Sequence, residues 1–349
     1  MSASIEISDY KIGKAYPPFI IAELSANHNG SLSKAKETMA AAKESGAHAV
    51  KLQTYTPDTM TIDYDGAGFQ IKGGLWDGKN LYRLYQEAHT PWEWHEDLFA
   101  YGKELGLVVF STPFDESAIL FLESIGAPAY KIASFELIDL PLIRKCAAQE
   151  KPIIMSTGMA DLKEIAEAVS VARESGGKDI ALLHCTSGYP TPPNEADLNT
   201  LPHLAKAFGV VSGLSDHTGG IGVAVASVAL GASIIEKHFT ISRADGGPDS
   251  AFSLEPDEFK LLSKNAEIAW LALGNIRYEK SKSEQQNLQF RRSIYIVKDM
   301  NVGDKFNEEN CRIIRPGFGL VPKYYDLILG RKINKSVKRG TPLAWDLLS

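Results

Sequence analysis

The sequence predicts an α/β fold, a (β/α)8 or TIM barrel, followed by a small β-rich domain, and three observations lead to this fold class. Eight short runs rich in β-branched residues alternate with segments of helical spacing over about 265 residues, the usual size of such a barrel. None of the connecting turns carries the Gly-x-Gly-x-x-Gly pattern of an open dinucleotide-binding sheet. Each run is apolar first and polar last, as expected of strands that end at a barrel's active-site face.

The predicted strands are short and apolar, and the segments between them have the composition of helices. In chain order the strands are 19–26, 49–54, 108–113, 129–134, 152–157, 180–186, 210–217 and 233–239. The first predicted helix, 33–45, is rich in Ala, Glu and Lys and ends before Gly46, a residue type that commonly terminates helices.

Composition and charge narrow the class of protein. The chain of 349 residues is 44% hydrophobic and 23% charged, with a net charge of −6. No run approaches the ~18 apolar residues of a membrane span, and the polar N-terminal stretch lacks a signal core. We therefore expect a cytoplasmic protein that binds neither membranes nor nucleic acids. The odd number of widely spaced cysteines, three, argues against a disulfide framework or a structural zinc site.

Reactive side chains lie where the predicted strands end. They are Glu23, Lys51, Gln53, Thr112, Lys131, Ser134, Ser156, Thr186, Ser215, His217, Glu236 and His238. Taken singly, each is an ordinary hydrogen-bonded strand end. Because the carboxyl ends of barrel strands meet at one face, eight strands ending in this way predict an active site there.

Two histidines at neighbouring strand ends indicate a metal site. A period of two along each strand places His238 on one face with Glu236, and His217 on one face with Ser215. The imidazoles would then lie close enough to share one divalent ion. Two histidines with oxygen ligands suit Mn²⁺, which we expect here, with Mg²⁺ or Co²⁺ as alternatives. His184 is an alternative ligand, although its position also fits a packed core histidine.

Two lysines at strand ends indicate an anionic substrate. A buried lysine needs a negative partner or loses its charge, so Lys51 and Lys131 predict a cradle for a small phosphate and carboxylate compound. Hydroxyl groups would complete the cradle, from Thr112, Ser134, Ser156 and Ser215. The alternative is an ordinary ion pair, Lys51 with Glu23 or Lys131 with Glu136.

Seven strings resemble one known family, the sialic acid synthases. In order they are AELSANHNGS, VKLQT, YKIASFE, STGMA, HCTSGYPTP, GLSDHT and IEKHFT. The family condenses phosphoenolpyruvate with an open-chain amino sugar to form a nine-carbon 2-keto acid. The C-terminal tail resembles the family's antifreeze-like (SAF) domain, so the resemblance covers essentially the whole chain.

The resemblance implies a role for each matching residue. By this resemblance, the metal ligands are His217 and His238. The residues that bind phosphoenolpyruvate are Lys51, Thr112, Lys131, Ser134, Ser156 and Ser215. The residues that face the sugar are Gln53, Glu136, Tyr189 and Asp249. The acid and base candidates are Glu23 and Glu236. In place of the family's usual Asn before the Tyr-Pro-Thr motif, this chain has Ser187-Gly188, so Ser187 is the expected replacement contact to phosphoenolpyruvate.

The segment 68–95 indicates which branch of the family the chain resembles. Its motifs are most similar to those of the pseudaminic acid synthases, whose sugar is a 2,4-diacetamido-2,4,6-trideoxy-altrose. Trp76, Tyr82 and Tyr85 beside Gly73-Gly74 have the composition of a loop that closes over a substrate, although the aromatic residues could instead form a helix face. The alternative is a legionaminic or N-acetylneuraminic acid synthase acting on a different amino sugar.

The last seventy residues differ in character from the barrel. We expect the barrel domain over 1–282, a polar linker over 283–290 and a β-rich SAF domain over 291–349. A domain of this size has little core of its own. The resemblance implies that it covers the barrel of a partner subunit in a domain-swapped homodimer, bringing Arg315 to the sugar.

Two other classes of function stay open on the sequence alone. One is a metal-free barrel aldolase that forms a Schiff base on Lys51 or Lys131. The other is a non-catalytic carbohydrate-binding protein.

Overall fold

The structure is a computed structural model that describes residues 3–349. The chain divides into two compact units, one ending at Gly274 and the other spanning Asn275–Ser349. No helix in the described residues is both long enough and apolar enough to cross a membrane.

The first unit contains a closed barrel of eight parallel strands, which confirms the predicted fold class. The strands of this unit are β1 (Ser4–Ile7), β2 (Tyr10–Gly13), β3 (Phe19–Glu23), β4 (Ala49–Thr54), β5 (Val108–Pro113), β6 (Tyr130–Ile132), β7 (Ile153–Ser156), β8 (Ile180–Cys185), β9 (Val211–Asp216) and β10 (Ile234–His238). Strands β1 and β2 form an antiparallel hairpin, and β3 to β10 form the barrel. The barrel closes where β10 pairs with β3, from Ile234 opposite Phe19 to His238 opposite Glu23.

Helices follow the strands around the barrel. They are α1 (Leu32–Glu44), α2 (Pro57–Met60), α3 (Leu81–Ala88), α4 (His95–Glu104), α5 (Glu116–Ser124), α6 (Leu140–Ala147), α7 (Leu162–Glu174), α8 (Thr200–Phe208), α9 (Gly222–Ala229) and α10 (Pro256–Leu273). Short 3-10 helices lie at Trp92–Trp94, Ser134–Glu136, Pro193–Glu195, Arg243–Asp245 and Ser250–Phe252. The connection between β4 and β5 is the long one, because it contains α2 and α3 as well as α4.

Local sequence signals set the ends of these elements. Helix α1 begins after Ser31, whose hydroxyl accepts a hydrogen bond from the Lys34 amide. It ends at Glu44, and Gly46 adopts a φ of +91°, the conformation that glycine tolerates best. The prediction that this helix ends before Gly46 is therefore confirmed.

Alternation along the strands decides which side chains enter the barrel. Phe19, Ile21, Phe110, Leu183 and Ile234 belong to one buried cluster that fills the lumen, while their chain neighbours pack against the helices. The same alternation carries on to the strand ends. It fixes which of the polar residues there face inward.

The second unit has its own strands, helices and small core. Its elements are α11 (Lys282–Gln285), a 3-10 helix (Gln286–Phe290), β11 (Ser293–Ile296), β12 (Cys311–Ile314), a 3-10 helix (Pro322–Tyr324), α12 (Tyr325–Ile328) and a 3-10 helix (Trp345–Leu347). Strands β11 and β12 pair antiparallel, and nine buried residues, among them Ile294, Phe306 and Leu343, form the core of this unit. The segment 283–290, expected as a linker, is largely helical.

Candidate active site

A cavity of about 470 Å³ opens at the carboxyl ends of the barrel strands. It is lined by thirteen of the residues singled out from the sequence, namely Glu23, Lys51, Gln53, Lys131, Ser134, Glu136, Ser156, Tyr189, Ser215, His217, Glu236, His238 and Asp249. Every barrel strand except β5 contributes a side chain. The structure therefore brings residues that are more than two hundred positions apart in the chain into one site.

Four residues predicted for the site do not line this cavity, and one of them is Thr186, whose hydroxyl donates to the Glu195 carbonyl oxygen at 3.0 Å. Thr112 is fully buried beside Gln53 in the strand register, and its hydroxyl has no hydrogen-bond partner. Ser187 follows the end of β8 and packs close to Gly158, where an added Cβ would lie 2.3 Å from the Ser187 Oγ. Arg315 follows β12 in the second unit.

Lys51 lies between two glutamates on the floor of the cavity. Its Nζ is 3.1 Å from Glu23 Oε2 and 3.2 Å from Glu236 Oε1, and all three side chains are buried. Burial raises the pKa of Glu23 to about 7, although Lys51 opposes this effect. Burial acts in the same direction on Glu236, but there Lys131 and Lys51 outweigh it and lower the pKa. The two carboxyl groups thus differ: Glu23 can exchange a proton near neutral pH, and Glu236 stays ionised.

Lys131 presents a second buried ammonium group to the same cavity. Its Nζ donates hydrogen bonds to Ser156 Oγ at 2.5 Å and to the Ile132 carbonyl oxygen at 3.1 Å. The nearest carboxylate oxygen in an ion pair is Glu236 Oε1 at 3.9 Å, and burial lowers the pKa of Lys131 to about 8. The two lysines share one firmly ionised carboxylate. An anionic ligand would supply the negative charge that the site lacks.

The imidazoles of His217 and His238 lie side by side, with ring centroids 5.3 Å apart. His217 Nδ1 is 3.2 Å from the Thr186 carbonyl oxygen, so this nitrogen donates and Nε2 is the ring nitrogen left to bind an ion. His238 Nδ1 is buried without a hydrogen-bond partner, and burial lowers the pKa of this imidazole, which is therefore neutral. Burial lowers the pKa of His217, but the Cys185 thiol, 3.7 Å from Nδ1, outweighs burial and raises it, so this ring would release its proton on binding a divalent ion.

The rest of a metal coordination sphere would not come from the chain. Among residues 3–349, no three His, Cys, Asp or Glu side chains are grouped to hold an ion. The alternative ligand His184 does not line the cavity, and its Nε2 is 2.7 Å from the Ala196 carbonyl oxygen. The remaining ligands would be oxygens of water or substrate, which suits Mn²⁺ or Mg²⁺ better than a structural zinc ion.

A chain of hydrogen bonds links Glu23 to the opposite side of the cavity. Gln53 Nε2 donates to Glu23 Oε1 at 2.8 Å and to Ser25 Oγ at 3.1 Å, and the Ser25 hydroxyl donates to Asp249. Burial raises the pKa of Asp249, and it raises the pKa of Glu136, which also lines the cavity, to about 7. These groups can accept or donate hydrogen bonds to a polar sugar.

The segment 68–95 forms an apolar wall of the cavity. Trp76 Nε1 donates to the Pro248 carbonyl oxygen at 3.0 Å, and its ring lies 5.6 Å from that of Tyr189. The apolar wall is made of Tyr55, Met60, Ile71, Trp76, Leu81, Leu84, Tyr85 and Phe114. Tyr82 is not part of it, because its hydroxyl donates to Asp58. Trp76 and Tyr85 line the cavity, as expected of a loop that closes over a substrate. Tyr82 does not line it.

Sequence reasoning missed most of the apolar wall and also three cavity residues that lie close to predicted positions. Ser25, Tyr55 and Cys185 line the cavity, and the Cys185 Sγ is 3.7 Å from His217 Nδ1. Each lies two positions from a residue that was predicted: Ser25 from Glu23, Tyr55 from Gln53 and Cys185 from Ser187. The period of two along β8 would have found Cys185, whereas Ser25 and Tyr55 lie beyond the last residues of β3 and β4, where that period no longer applies.

The fold and the cavity define a (β/α)8-barrel enzyme whose site gathers ionisable groups from successive strand ends. Residues 38–278 match the model of the NeuB family, and residues 291–349 match the SAF domain. The chain belongs to the NeuB family.

Named relatives and a solved structure agree with this assignment. The chain is 46% identical to a pseudaminic acid synthase of Helicobacter pylori, over 95% of this chain and 97% of the relative. It is 39% identical to an N,N'-diacetyllegionaminic acid synthase of Campylobacter jejuni, over 91% of this chain and 96% of the relative. The crystal structure of an N-acetylneuraminic acid synthetase from Leptospira borgpetersenii is similar, with a TM-score of 0.74, 32% identity and coverage of 83% and 97% of the two chains.

Proposed function

We propose that this enzyme condenses phosphoenolpyruvate with open-chain 2,4-diacetamido-2,4,6-trideoxy-altrose to form pseudaminic acid and release phosphate. One observation carries the proposal: two buried lysines, two adjacent histidines and a raised-pKa carboxyl group share a single cavity with an apolar wall. The similarity to pseudaminic acid synthases supports the choice of sugar.

Phosphoenolpyruvate would bind at the lysine side of the cavity. Lys51 and Lys131 would hold its phosphate and carboxylate, with hydroxyl groups from Ser134, Ser156 and Ser215 completing the contacts. Ser215 Oγ already donates to Glu236 Oε1 at 3.2 Å, so it is oriented toward the lysines. Burial of all five residues removes competing water and strengthens each charge-assisted bond.

The proposed metal ion, Mn²⁺, would be held by His217 and His238. When bound, it supplies a Lewis acid that polarises the aldehyde oxygen of the sugar. The chain's own contribution at this point is to fix the two imidazoles. His217 is oriented by the Thr186 carbonyl, and Tyr189 packs against it with ring centroids 4.5 Å apart.

The carboxyl groups divide the remaining chemistry. The enol carbon of phosphoenolpyruvate forms the new bond to the aldehyde carbon with its C=C electron pair, and the aldehyde oxygen takes a proton from solvent to become a hydroxyl group. The positive charge left at C2 is stabilised by ionised Glu236. Water then adds to C2 and gives its proton to Glu23, whose pKa of about 7 suits a base at neutral pH. The tetrahedral intermediate loses phosphate by cleavage of its C2–O bond to phosphate, while its C2 hydroxyl gives its proton to the departing phosphate and becomes the 2-keto group; Lys51 and Lys131 stabilise that anion.

The test of this function is phosphate release with a panel of amino sugars. We expect kcat/KM for the 2,4-diacetamido-trideoxy-altrose to exceed that for N-acetylmannosamine by about 10²-fold or more, because a hydroxyl group placed against the apolar wall loses its hydrogen bonds. Higher kcat/KM with the legionaminic acid precursor or with N-acetylmannosamine would assign the enzyme to another branch.

We predict that the indole N–H of Trp76 contributes to use of the sugar. Trp76→Phe removes the bond to Pro248, next to Asp249, while keeping an aromatic ring. A net hydrogen bond is worth about 0.5–1.5 kcal/mol, so kcat/KM for the sugar should fall about 2- to 10-fold. The KM for phosphoenolpyruvate should not change.

Trp270 offers a matched control for this substitution. Its indole also donates to a backbone carbonyl, that of Lys14 at 3.1 Å, and neither residue lines the cavity. Trp270→Phe should leave kcat/KM for the sugar unchanged. Equal effects of Trp76→Phe and Trp270→Phe would contradict a specific role for Trp76.

We also propose that the enzyme is a domain-swapped homodimer in which Arg315 acts at the partner's cavity. The family resemblance supports this, and a guanidinium group can hydrogen-bond an acetamido carbonyl or a carboxylate without losing its charge. The proposal predicts complementation: mixed dimers of Arg315→Ala and His217→Ala chains should contain one site with both residues intact. They should regain up to about half of the activity per dimer.

The parental variants provide the control for complementation. Homodimers of Arg315→Ala and of His217→Ala should each be far less active than the mixed dimers. Purified mixed dimers without activity, or full turnover by the barrel alone, would show that Arg315 does not act in trans.

A further inference from the structure

A buried ion pair lies directly behind the two histidines, outside the cavity. Lys237 Nζ donates to Asp216 Oδ2 at 2.7 Å, and the two side chains are 0% and 2% exposed. Asp216 precedes His217 and Lys237 precedes His238 in the chain. Because side chains alternate along a strand, Asp216 and Lys237 face the helices while the histidines face the lumen.

The pair joins the two strands where their backbone pairing stops. The ladder between β9 and β10 ends at Lys237 opposite Asp216, so His217 lies one residue beyond it. The Lys237 ammonium also donates to the Thr218 carbonyl oxygen, and Asp216 Oδ1 accepts the Thr218 amide at 2.9 Å. Lys237 therefore binds the residues on both sides of His217 and extends the connection between the strands past the ladder.

The remaining backbone contacts of the histidines come from loops. The Thr191 amide donates to the His217 carbonyl oxygen at 3.0 Å, and the Leu254 amide donates to the His238 carbonyl oxygen at 2.9 Å. These contacts fix each histidine to its own loop. Two side-chain contacts connect the ends of the strands that carry the histidines: Ser215 Oγ donates to Glu236 Oε1 at 3.2 Å on the cavity side, and the Lys237–Asp216 pair lies on the helix side, at the last rung of the ladder.

We propose that Lys237 and Asp216 are positioning residues that set the spacing of the His217 and His238 imidazoles and thereby the affinity for a divalent ion. The inference rests on the proposed function, in which these histidines hold the ion. A fully buried ion pair is a poor source of stability, since apolar residues of similar volume often serve as well. What it offers instead is directed bonds of defined length, and here they fix the two strand ends that carry the imidazoles.

The experiment separates positioning from stability. Lys237→Met leaves Asp216 charged and unpaired in the interior, so it should lower both the free energy of unfolding and the affinity for Mn²⁺. The double variant Asp216→Asn with Lys237→Met leaves no buried charge and keeps an acceptor for the Thr218 amide. It should regain most of the stability, while Mn²⁺ binding to the full-length protein, measured by titration without substrates, stays about 10- to 100-fold weaker.

Two reference proteins complete the design. Lys151→Met also removes a paired lysine, whose Nζ is 2.5 Å from Glu123 Oε1, away from the cavity, and it should bind Mn²⁺ like the wild type. His217→Ala defines the affinity that depends on the imidazoles.

The outcomes distinguish the proposed metal site from the proposed positioning role of Lys237 and Asp216. Wild-type binding of Mn²⁺ that His217→Ala does not weaken would overturn the proposed metal site and this inference with it. If wild-type binding depends on His217 but the double variant binds Mn²⁺ as tightly as the wild type, the positioning role alone is wrong. Weak binding that persists in the stable double variant supports it.

Discussion

Removal of divalent ions by a chelator is expected to abolish phosphate release, and added Mn²⁺ is expected to restore it. The ion is proposed to polarise the aldehyde oxygen beside His217 and His238, and the His238 imidazole, whose pKa burial lowers, carries no charge that could replace it. A Lewis acid supplies several kcal/mol at the transition state, so His217→Ala should lower kcat by at least about 10³-fold. The metal content of the purified variant should fall in parallel.

His203 provides the control for this prediction. It is an exposed histidine on α8, away from the cavity, so His203→Ala removes an imidazole without touching the proposed ligands. Metal content and turnover should both remain at the wild-type level. Full turnover by thoroughly demetallated wild-type protein would contradict the metal requirement.

Lys131→Met is expected to lower kcat/KM for phosphoenolpyruvate by about 10²- to 10³-fold, the usual cost of removing one charged or polar donor from a developing anion. The ammonium group of Lys131 is buried, is oriented by Ser156 and Ile132, and has its nearest ion-pair oxygen at 3.9 Å. It is therefore available to the departing phosphate. Methionine preserves the apolar stem and removes only the charge.

The same residue discriminates between the proposed reaction and a Schiff-base aldolase. A pKa of about 8 leaves part of Lys131 neutral at physiological pH, which is the form that attacks a carbonyl carbon. Borohydride reduction in the presence of pyruvate should nevertheless give no adduct on Lys131, and Lys151→Met should keep full kcat/KM. A trapped adduct on Lys131 would argue for the aldolase. Normal kcat/KM for phosphoenolpyruvate in Lys131→Met would argue against a role for this lysine.

The barrel was predictable from the sequence because its strands are buried on both faces. Such strands appear in the sequence as continuous runs of β-branched residues. The predicted and observed strand ends differ most at the first barrel strand, which was predicted to end at residue 26 and ends at Glu23. The residues after Glu23 were included because they are also buried, although the chain there has left the sheet. Ser25 has a φ of +45°, which no strand adopts.

The candidate site was predictable wherever side chains alternate between the two faces of a strand. That alternation predicts the face of a side chain but not its depth, which is why Thr112 lies buried beside Gln53 and not on the cavity wall. It also stops where a strand ends: Ser187 lies beyond Cys185, the last residue of β8, and turns toward Gly158. The bond from Trp76 to Pro248 joins positions 172 apart, and no local pattern encodes it.

The long connection between β4 and β5 gives this protein a modular design. The groups proposed to perform the reaction belong to the rigid strand ends, whereas the apolar wall comes largely from the connection that contains α2 and α3. Changes in that connection can therefore alter which sugar is accepted without disturbing the bond-forming groups. In such a barrel, changes in one connecting segment can change the product that is formed while the catalytic residues stay the same.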